Sequence, residues 1–164
     1  MTDAGLHPRP RLFAGPLTQA LTKLLTNMLL TRKVEFSAAL ICSNPGLSQA
    51  ENTRIYGGNA NPNGHGHNFV LEVTVEGHPD PVTGMVFDLR ELKEILNQEV
   101  VDPMDHRFLN REVPPFDRII PTTENIAREI WSRIDQRVGQ GPVRLRNVRL
   151  YETADLFVDY GGGT

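Results

Sequence analysis

Strict alternation of apolar and polar residues constrains the fold of this chain most. In "HGHNFVLEVTVEG" (65–77), His65, His67 and the apolar residues from Phe69 to Val75 fall on one parity, and "KVEFSAALIC" (33–42) alternates in the same way. Side chains at i and i+2 of a strand point to the same face of a sheet. Each stretch therefore predicts a strand with one face against the core.

The elements that follow these strands are predicted from periodicity and cap signals. Asp88 is a candidate N-cap, and threonines precede the next apolar-periodic run. We predict a long loop over 43–64 with a helical turn near 48–56, helices over 88–101 and 122–134, and strands over 143–153 and 156–161.

This order of elements indicates an α+β domain. Two strands, two helices and two strands suit a four-stranded antiparallel sheet with both helices on one face. Leucines at helical spacing predict an extra amphipathic helix over 16–32. We therefore divide the chain into an N-terminal extension, 1–32, and a domain, 33–164.

Charge and composition exclude several kinds of partner. The net charge of −3 gives no electrostatic reason to expect binding to nucleic acid or to an anionic membrane. A single cysteine, Cys42, rules out an intramolecular disulfide and fits a reducing compartment, so a cytoplasmic location is expected. The longest apolar stretch is well short of the roughly 18 residues that a membrane span needs.

His65 and His67 form the strongest chemical signal. Two imidazoles on one strand face can present neutral nitrogens to one metal ion, or they can be hydrogen-bonding groups at a sheet edge. The glycines on both sides of His65 leave room for a ligand to approach the backbone.

Three further carboxylate or imidazole groups are candidates. Asp105 and His106 lie in an irregular segment, where they form either a turn with a surface histidine or a carboxylate that orients an imidazole for proton transfer. Glu152 shares an apolar face with Val148 and Leu150. A carboxylate placed there needs a partner, either a nearby arginine or a ligand.

Six motifs in register resemble the 6-pyruvoyl-tetrahydropterin synthase and 6-carboxytetrahydropterin synthase family. They are "FSAAL", "NPNGHGHNF", "DPVTGMVFDL", "MDHRFLN", "TTENIA" and "YET", and they extend over roughly residues 33 to 160. The resemblance implies a tunnelling fold in which three subunits close a twelve-stranded barrel and two trimers form a homohexamer. It also implies a lyase that acts on a pterin, with zinc on three histidines, a cysteine and an Asp-His pair for proton transfer, and a glutamate that anchors the pterin.

The resemblance assigns roles to residues of this chain. His65 and His67 match two zinc ligands, Asp105 and His106 match the catalytic pair, and Glu152 matches the pterin anchor. Residues that match the segment lining the pterin pocket are Thr122, Thr123 and Glu124, of which the threonines are also candidate helix caps.

Two positions depart from the family pattern. Leu40 stands where the third zinc histidine is expected, and Asn59 stands where the catalytic cysteine is expected. Leucine cannot bind zinc, and an amide does not titrate near neutral pH. We therefore expect zinc to be absent or weakly bound.

Three interpretations follow from these departures. The first is an enzyme with altered lyase-type chemistry on a pterin or pterin-like substrate. The second is a pseudoenzyme that binds such a ligand in a regulatory or structural role. The third is a conventional zinc enzyme in which Cys42 has taken over a missing role.

Overall fold

A five-stranded sheet organises the part of the chain that the computed structural model describes, residues 26–139 and 141–163. The strands are β1 (Met28–Leu40), β2 (His65–Gly77), β3 (Arg107–Phe108), β4 (Arg144–Tyr151) and β5 (Phe157–Tyr160). They are arranged in the order β3-β1-β2-β4-β5. The four longer strands are antiparallel, as predicted. The predicted count of four strands is wrong, because the two-residue β3 adds a fifth strand that pairs in parallel with β1.

β1 begins earlier than the sequence pattern predicts. It is paired with β2 along its whole length, and Met28 lies opposite Gly77. The helix predicted over 16–32 is therefore wrong at 28–32. Pairing with β2 satisfies the backbone groups of both strands there, and this tertiary effect outweighs the local helical spacing of the leucines. Residues 1–25 lie outside the described part of the chain.

Two of the helices cover one face of the sheet. Helix α2 (Leu89–Leu96) begins after Asp88, whose side chain caps Arg90 N–H at 2.8 Å as predicted, and continues through a π-helical turn over 97–101. Helix α5 (Thr123–Val138) begins after the predicted cap Thr122 and extends past residue 134. The described helices are α1 (Gln49–Tyr56), α2 (Leu89–Leu96), α3 (Asp102–Met104), α4 (Leu109–Glu112) and α5 (Thr123–Val138), with a 3₁₀ turn at Gly57–Ala60.

The core lies between these helices and the inner face of the sheet. Leu92 and Ile130 are fully buried against inner-face residues such as Leu71 and Val148. Full burial of a side chain of this kind contributes about 1.5–3 kcal/mol. This packing gives the strands one common inner face and holds their ends rigidly. In the described part of the chain no helix is long and apolar enough to cross a membrane.

Candidate ligand-binding site

The candidate site lies where three strand ends meet on the inner face of the sheet. β1 ends at Leu40, directly opposite the first residue of β2, His65. β4 ends at Tyr151, which pairs with Val70 of β2. Because these strands are antiparallel neighbours, the end of β1, the start of β2 and the end of β4 lie at the same end of the sheet, which we call the pocket end.

Glu152 enters the pocket end immediately after β4. Its backbone N–H donates to Leu156 O at 3.0 Å, which turns the chain toward β5. Its Oε1 lies 3.3 Å from His67 Nε2, and its Oε2 accepts a short hydrogen bond from the hydroxyl of Thr123. Within the described residues Glu152 pairs with no arginine, and Arg149 instead binds Asp159. The carboxylate is thus held by a hydroxyl and lies beside an imidazole.

The two threonines at the start of α5 have different roles. The Thr122 hydroxyl accepts a hydrogen bond from Asn125 N–H at 3.4 Å, so this residue is the N-cap. Thr123 is buried, and its hydroxyl is directed to Glu152. The prediction of a capping role for Thr123 is therefore wrong.

His65 has no protein partner for either ring nitrogen among the described residues. Both of its nitrogens are buried, and His67 Nε2 also lacks a partner with hydrogen-bond geometry despite its proximity to Glu152. The two rings meet edge to face with centroids 4.9 Å apart. Burial lowers the pKa of His65, and the neighbouring His67 lowers it further, while Glu152 acts in the opposite direction. A buried polar group without a partner costs about 1–3 kcal/mol, so this imidazole is suited to a ligand.

Leu40 fills the position beside His65. It lies directly across the strand pair and points to the same inner face, where only 3% of its surface is exposed. Cβ atoms of such opposite residues lie about 4.5–5.5 Å apart. An apolar side chain therefore occupies the place of the expected third zinc ligand.

The residues at the pocket end do not fit a zinc ion held by three protein ligands. No group of three or more His, Cys, Asp or Glu side chains suited to a metal occurs within residues 26–139 and 141–163. Cys42 lies beyond the end of β1, where its thiol faces Pro121 O at 3.9 Å. Burial, with the nearby charges of Glu152 and Glu124, raises the pKa of Cys42 to about 11. The thiol is therefore protonated at neutral pH, and the geometry gives no support to Cys42 as a replacement ligand.

Asp105 and His106 form a rigid pair at the edge of β1. Asp105 Oδ1 accepts a hydrogen bond from Ser37 N–H at 2.7 Å, and His106 N–H donates to Ser37 O at 2.6 Å. Asp105 Oδ2 lies 2.8 Å from His106 Nδ1. These hydrogen bonds hold the pKa of Asp105 below its ordinary value. His106 adopts a φ of 57°, which is uncommon for a residue other than glycine.

The imidazole of His106 is accessible from outside the chain. Because an ionised carboxylate only accepts, Nδ1 donates the hydrogen bond to Asp105. The side chain is 83% exposed and borders an open groove shared with Gly66 and His67. Among the described residues, His106 makes no hydrogen bond to His65, His67 or Glu152. The Asp105–His106 pair and the Glu152 carboxylate therefore do not form one compact cluster.

Asn59 and Glu124 lie at the rim of the pocket end. Asn59 is exposed in the 3₁₀ turn, and its carbonyl accepts a hydrogen bond from Cys42 N–H at 2.9 Å. Glu124 is exposed on the first turn of α5 and acts electrostatically on Cys42. Among the described residues, this backbone hydrogen bond to Cys42 is what links Asn59 to the site.

Two asparagines that the sequence patterns do not indicate, Asn110 and Asn52, hold the backbone of the loop after β1 through hydrogen bonds. Asn110 holds both backbone groups of Ile41, through Oδ1 at 2.8 Å and Nδ2 at 3.1 Å. The buried amide of Asn52 accepts from Asn44 N–H at 2.7 Å and donates to three carbonyls of the same loop. Neither asparagine lies in a periodic pattern, and a buried polar residue is visible only once the fold is known.

Comparisons with known proteins agree with this architecture. The family model described as 6-pyruvoyl tetrahydropterin synthase matches residues 29–163. The chain is 40% identical to the human 6-pyruvoyl tetrahydrobiopterin synthase over 132 residues, which are 80% of this chain and 90% of the human protein. The orangutan (Pongo abelii) protein of that name is 41% identical over the same shares of both chains.

A solved structure supports the same conclusion. The Caenorhabditis elegans 6-pyruvoyl tetrahydropterin synthase superposes with a TM-score of 0.79 at 36% identity, and the match covers 84% of this chain and 97% of that one. The sequence match and the shared arrangement of strands and helices extend over nearly all of the described residues. This chain therefore belongs to the 6-pyruvoyl tetrahydropterin synthase family.

Proposed function

We propose that this protein binds a pterin or pterin-like substrate at the pocket end and transforms it by lyase-type proton transfer, in a reaction altered from that of its relatives. The observation that carries the proposal is Glu152, which accepts a hydrogen bond from Thr123 and lies 3.3 Å from His67 Nε2. A carboxylate fixed in this way can accept two parallel N–H donors from a heterocycle such as a pterin. Membership of the family supports the same class of ligand.

The remaining residues complete the binding site in this proposal. Thr122, Glu124 and Asn59 line the rim around the heterocycle. His65 and His67 act as hydrogen-bonding groups toward the ligand rather than as a complete zinc site, since Leu40 supplies no ligand atom. A weakly held zinc ion or none at all follows from this donor set.

Asp105 and His106 supply the proton transfer. Asp105 fixes the tautomer of His106, and the exposed Nε2 serves as base and then as acid. Since the pair lies at the edge of β1, we propose that it serves the pocket of a neighbouring subunit in a homo-oligomer, a hexamer of two trimers. The two-residue β3 leaves most of this edge of β1 unpaired in the described chain, and such an edge favours pairing with another strand.

A second candidate function is ligand binding without turnover. It is favoured by the simultaneous presence of Leu40 and Asn59, because an alkyl group cannot bind zinc and an amide does not titrate near neutral pH. In this alternative the pocket keeps its pterin anchor and serves a regulatory or structural role.

Deuterium exchange distinguishes the two candidates. The purified protein is incubated in D₂O with 7,8-dihydroneopterin triphosphate, and mass spectrometry follows side-chain deuteration and triphosphate release. We expect exchange that is lost in His106→Ala and is unaffected by a chelator. Binding by calorimetry without exchange would favour the second candidate, and the absence of any pterin binding would refute both.

A further inference from the structure

A cavity of about 410 Å³ lies on the side of the sheet that faces away from the helices, which we call the outer face. Its lining includes Lys33 of β1, Val70 and Glu72 of β2 and Tyr151 of β4. Volumes of about 300–1,000 Å³ are typical of small-molecule sites. Because side chains alternate along a strand, Val70 and Glu72 point away from the core, so the cavity and His67 lie on opposite sides of the sheet.

Two opposite charges in this cavity have no partner in the described part of the chain. Lys33 and Glu72 lie directly across β1 and β2 from each other, yet neither forms an ion pair or a side-chain hydrogen bond with any described residue. Arg149 is the neighbour of Glu72 on β4, but it makes two hydrogen bonds of 2.8 and 2.7 Å to Asp159. The cavity therefore presents one cation and one anion side by side to a ligand.

An apolar surface lies next to these charges. Val70 is two residues before Glu72, about 6–7 Å along the strand, and is paired with Tyr151. The Tyr151 ring packs against Phe157 with centroids 5.0 Å apart, which holds it beside Val70. Glu35 lies opposite Val70 on β1, outside the cavity. The surface of Val70 and Tyr151 can therefore accept an aromatic ring.

We infer that this cavity binds a free aromatic α-amino acid, with its carboxylate on Lys33, its ammonium on Glu72 and its ring on Val70 and Tyr151. Such a ligand carries both charges on one carbon, and its side chain extends to the next residue pair along the strands. A ligand with negative charge only would be repelled by Glu72, and one with positive charge only would be repelled by Lys33. The inference is independent of the proposed function, because none of the residues assigned to that function takes part.

NMR titrations that observe the ligand test the inference with four probes. They are L-phenylalanine, phenethylamine, which lacks the carboxylate, 3-phenylpropionate, which lacks the ammonium, and L-alanine, which lacks the ring. We expect L-phenylalanine to bind about 3- to 10-fold more tightly than phenethylamine or 3-phenylpropionate, the value of one hydrogen bond. L-Alanine should bind most weakly, because it buries no ring.

Variants of the two charged residues identify the partner of each ligand group. Lys33→Met, which keeps the length of the side chain, should weaken the binding of L-phenylalanine and leave that of phenethylamine unchanged. Glu72→Gln should weaken the binding of both and leave that of 3-phenylpropionate unchanged. Lys93→Met is the matched control, since Lys93 is exposed on α2, away from the outer face. Circular dichroism checks folding, and light scattering checks the assembly.

Several results would overturn the inference. They are the absence of saturable binding of L-phenylalanine, equal binding of L-phenylalanine and phenethylamine, and an equal effect of Lys33→Met and Lys93→Met. A changed assembly in Lys33→Met or Glu72→Gln would assign the outer face to a subunit contact and would also overturn it. Glu152→Ala should leave the binding of L-phenylalanine unchanged, so failure here does not affect the proposed function.

Discussion

Replacement of Leu40 by histidine should create a zinc site. Leu40 lies opposite His65, is buried on the same inner face and is one strand away from His67. An imidazole at this position would join His65, which has no partner for either ring nitrogen among the described residues, and His67, whose Nε2 has none there. Three protein ligands are the usual number for an open zinc site.

The expected gain in zinc affinity follows from the number of ligands. Structural sites with four ligands bind zinc with an apparent free energy of about 10–16 kcal/mol, or roughly 2.5–4 kcal/mol for each ligand. At 1.4 kcal/mol per factor of ten, a third imidazole should lower the dissociation constant by about 60- to 700-fold. The unmodified protein should carry much less than one zinc per chain.

The same substitution should destabilise the zinc-free protein. It removes the burial of an isobutyl group, about 1.5–3 kcal/mol, and leaves a buried imidazole unpaired, about 1–3 kcal/mol. Zinc at a free concentration 100 times its dissociation constant would raise the free energy of unfolding by about 2.7 kcal/mol. The Tm of Leu40→His should therefore fall in a chelator and rise when zinc is added.

Elemental analysis after dialysis against a weak chelator measures the bound zinc, and calorimetric scans measure the Tm. Val34→His is the matched control, because Val34 lies on the same face of β1 but opposite Leu71, away from both histidines. Stoichiometric zinc in the unmodified protein would refute the reasoning, as would equal zinc binding by Leu40→His and Val34→His.

Four further predictions concern the site and the assembly. Glu152→Ala should abolish calorimetric binding of neopterin, whereas Asp117→Ala, at an exposed residue outside the pocket end, should not; unchanged affinity in Glu152→Ala would contradict the anchoring role. Light scattering should show an oligomer rather than a monomer of 18.4 kDa, and a stable monomer would refute the hexamer. Triphosphate release from dihydroneopterin triphosphate should require Asn59→Cys in addition to Leu40→His, so release by the single variant would show that the thiol is dispensable. Because the pKa of Asp105 is lowered on folding, its stabilising contribution is complete above the ordinary value of 3.8 and is lost as the pH falls through the lower folded value. Urea unfolding of Asp105→Asn between pH 7 and pH 2 should therefore show a weaker loss of stability in acid, and a loss equal to that of the unmodified protein would contradict this.

Local signals in the sequence were sufficient for most of the framework. Alternation along β1, β2 and β4 predicts which side chains face the core, because side-chain direction in a strand depends only on parity. The sequence predicts Asp88 and Thr122 as caps because capping requires only a polar side chain near the first helical N–H groups. The family motifs indicate His65, His67 and Glu152 as members of one site.

The tertiary structure decided the features that depend on distant partners. Met28 belongs to a strand because β2 offers a partner there, and the parallel strand β3 is too short to leave a periodic pattern. The Thr123 hydroxyl binds Glu152 rather than capping its own helix, and Ser37 holds Asp105 across 68 positions of sequence. Such contacts form only when packing of the core brings separate segments together, so their free energy is absent from any local window of sequence. For the same reason, the family resemblance predicts that Leu40 stands at the position of a histidine, but only the strand register shows that it faces His65.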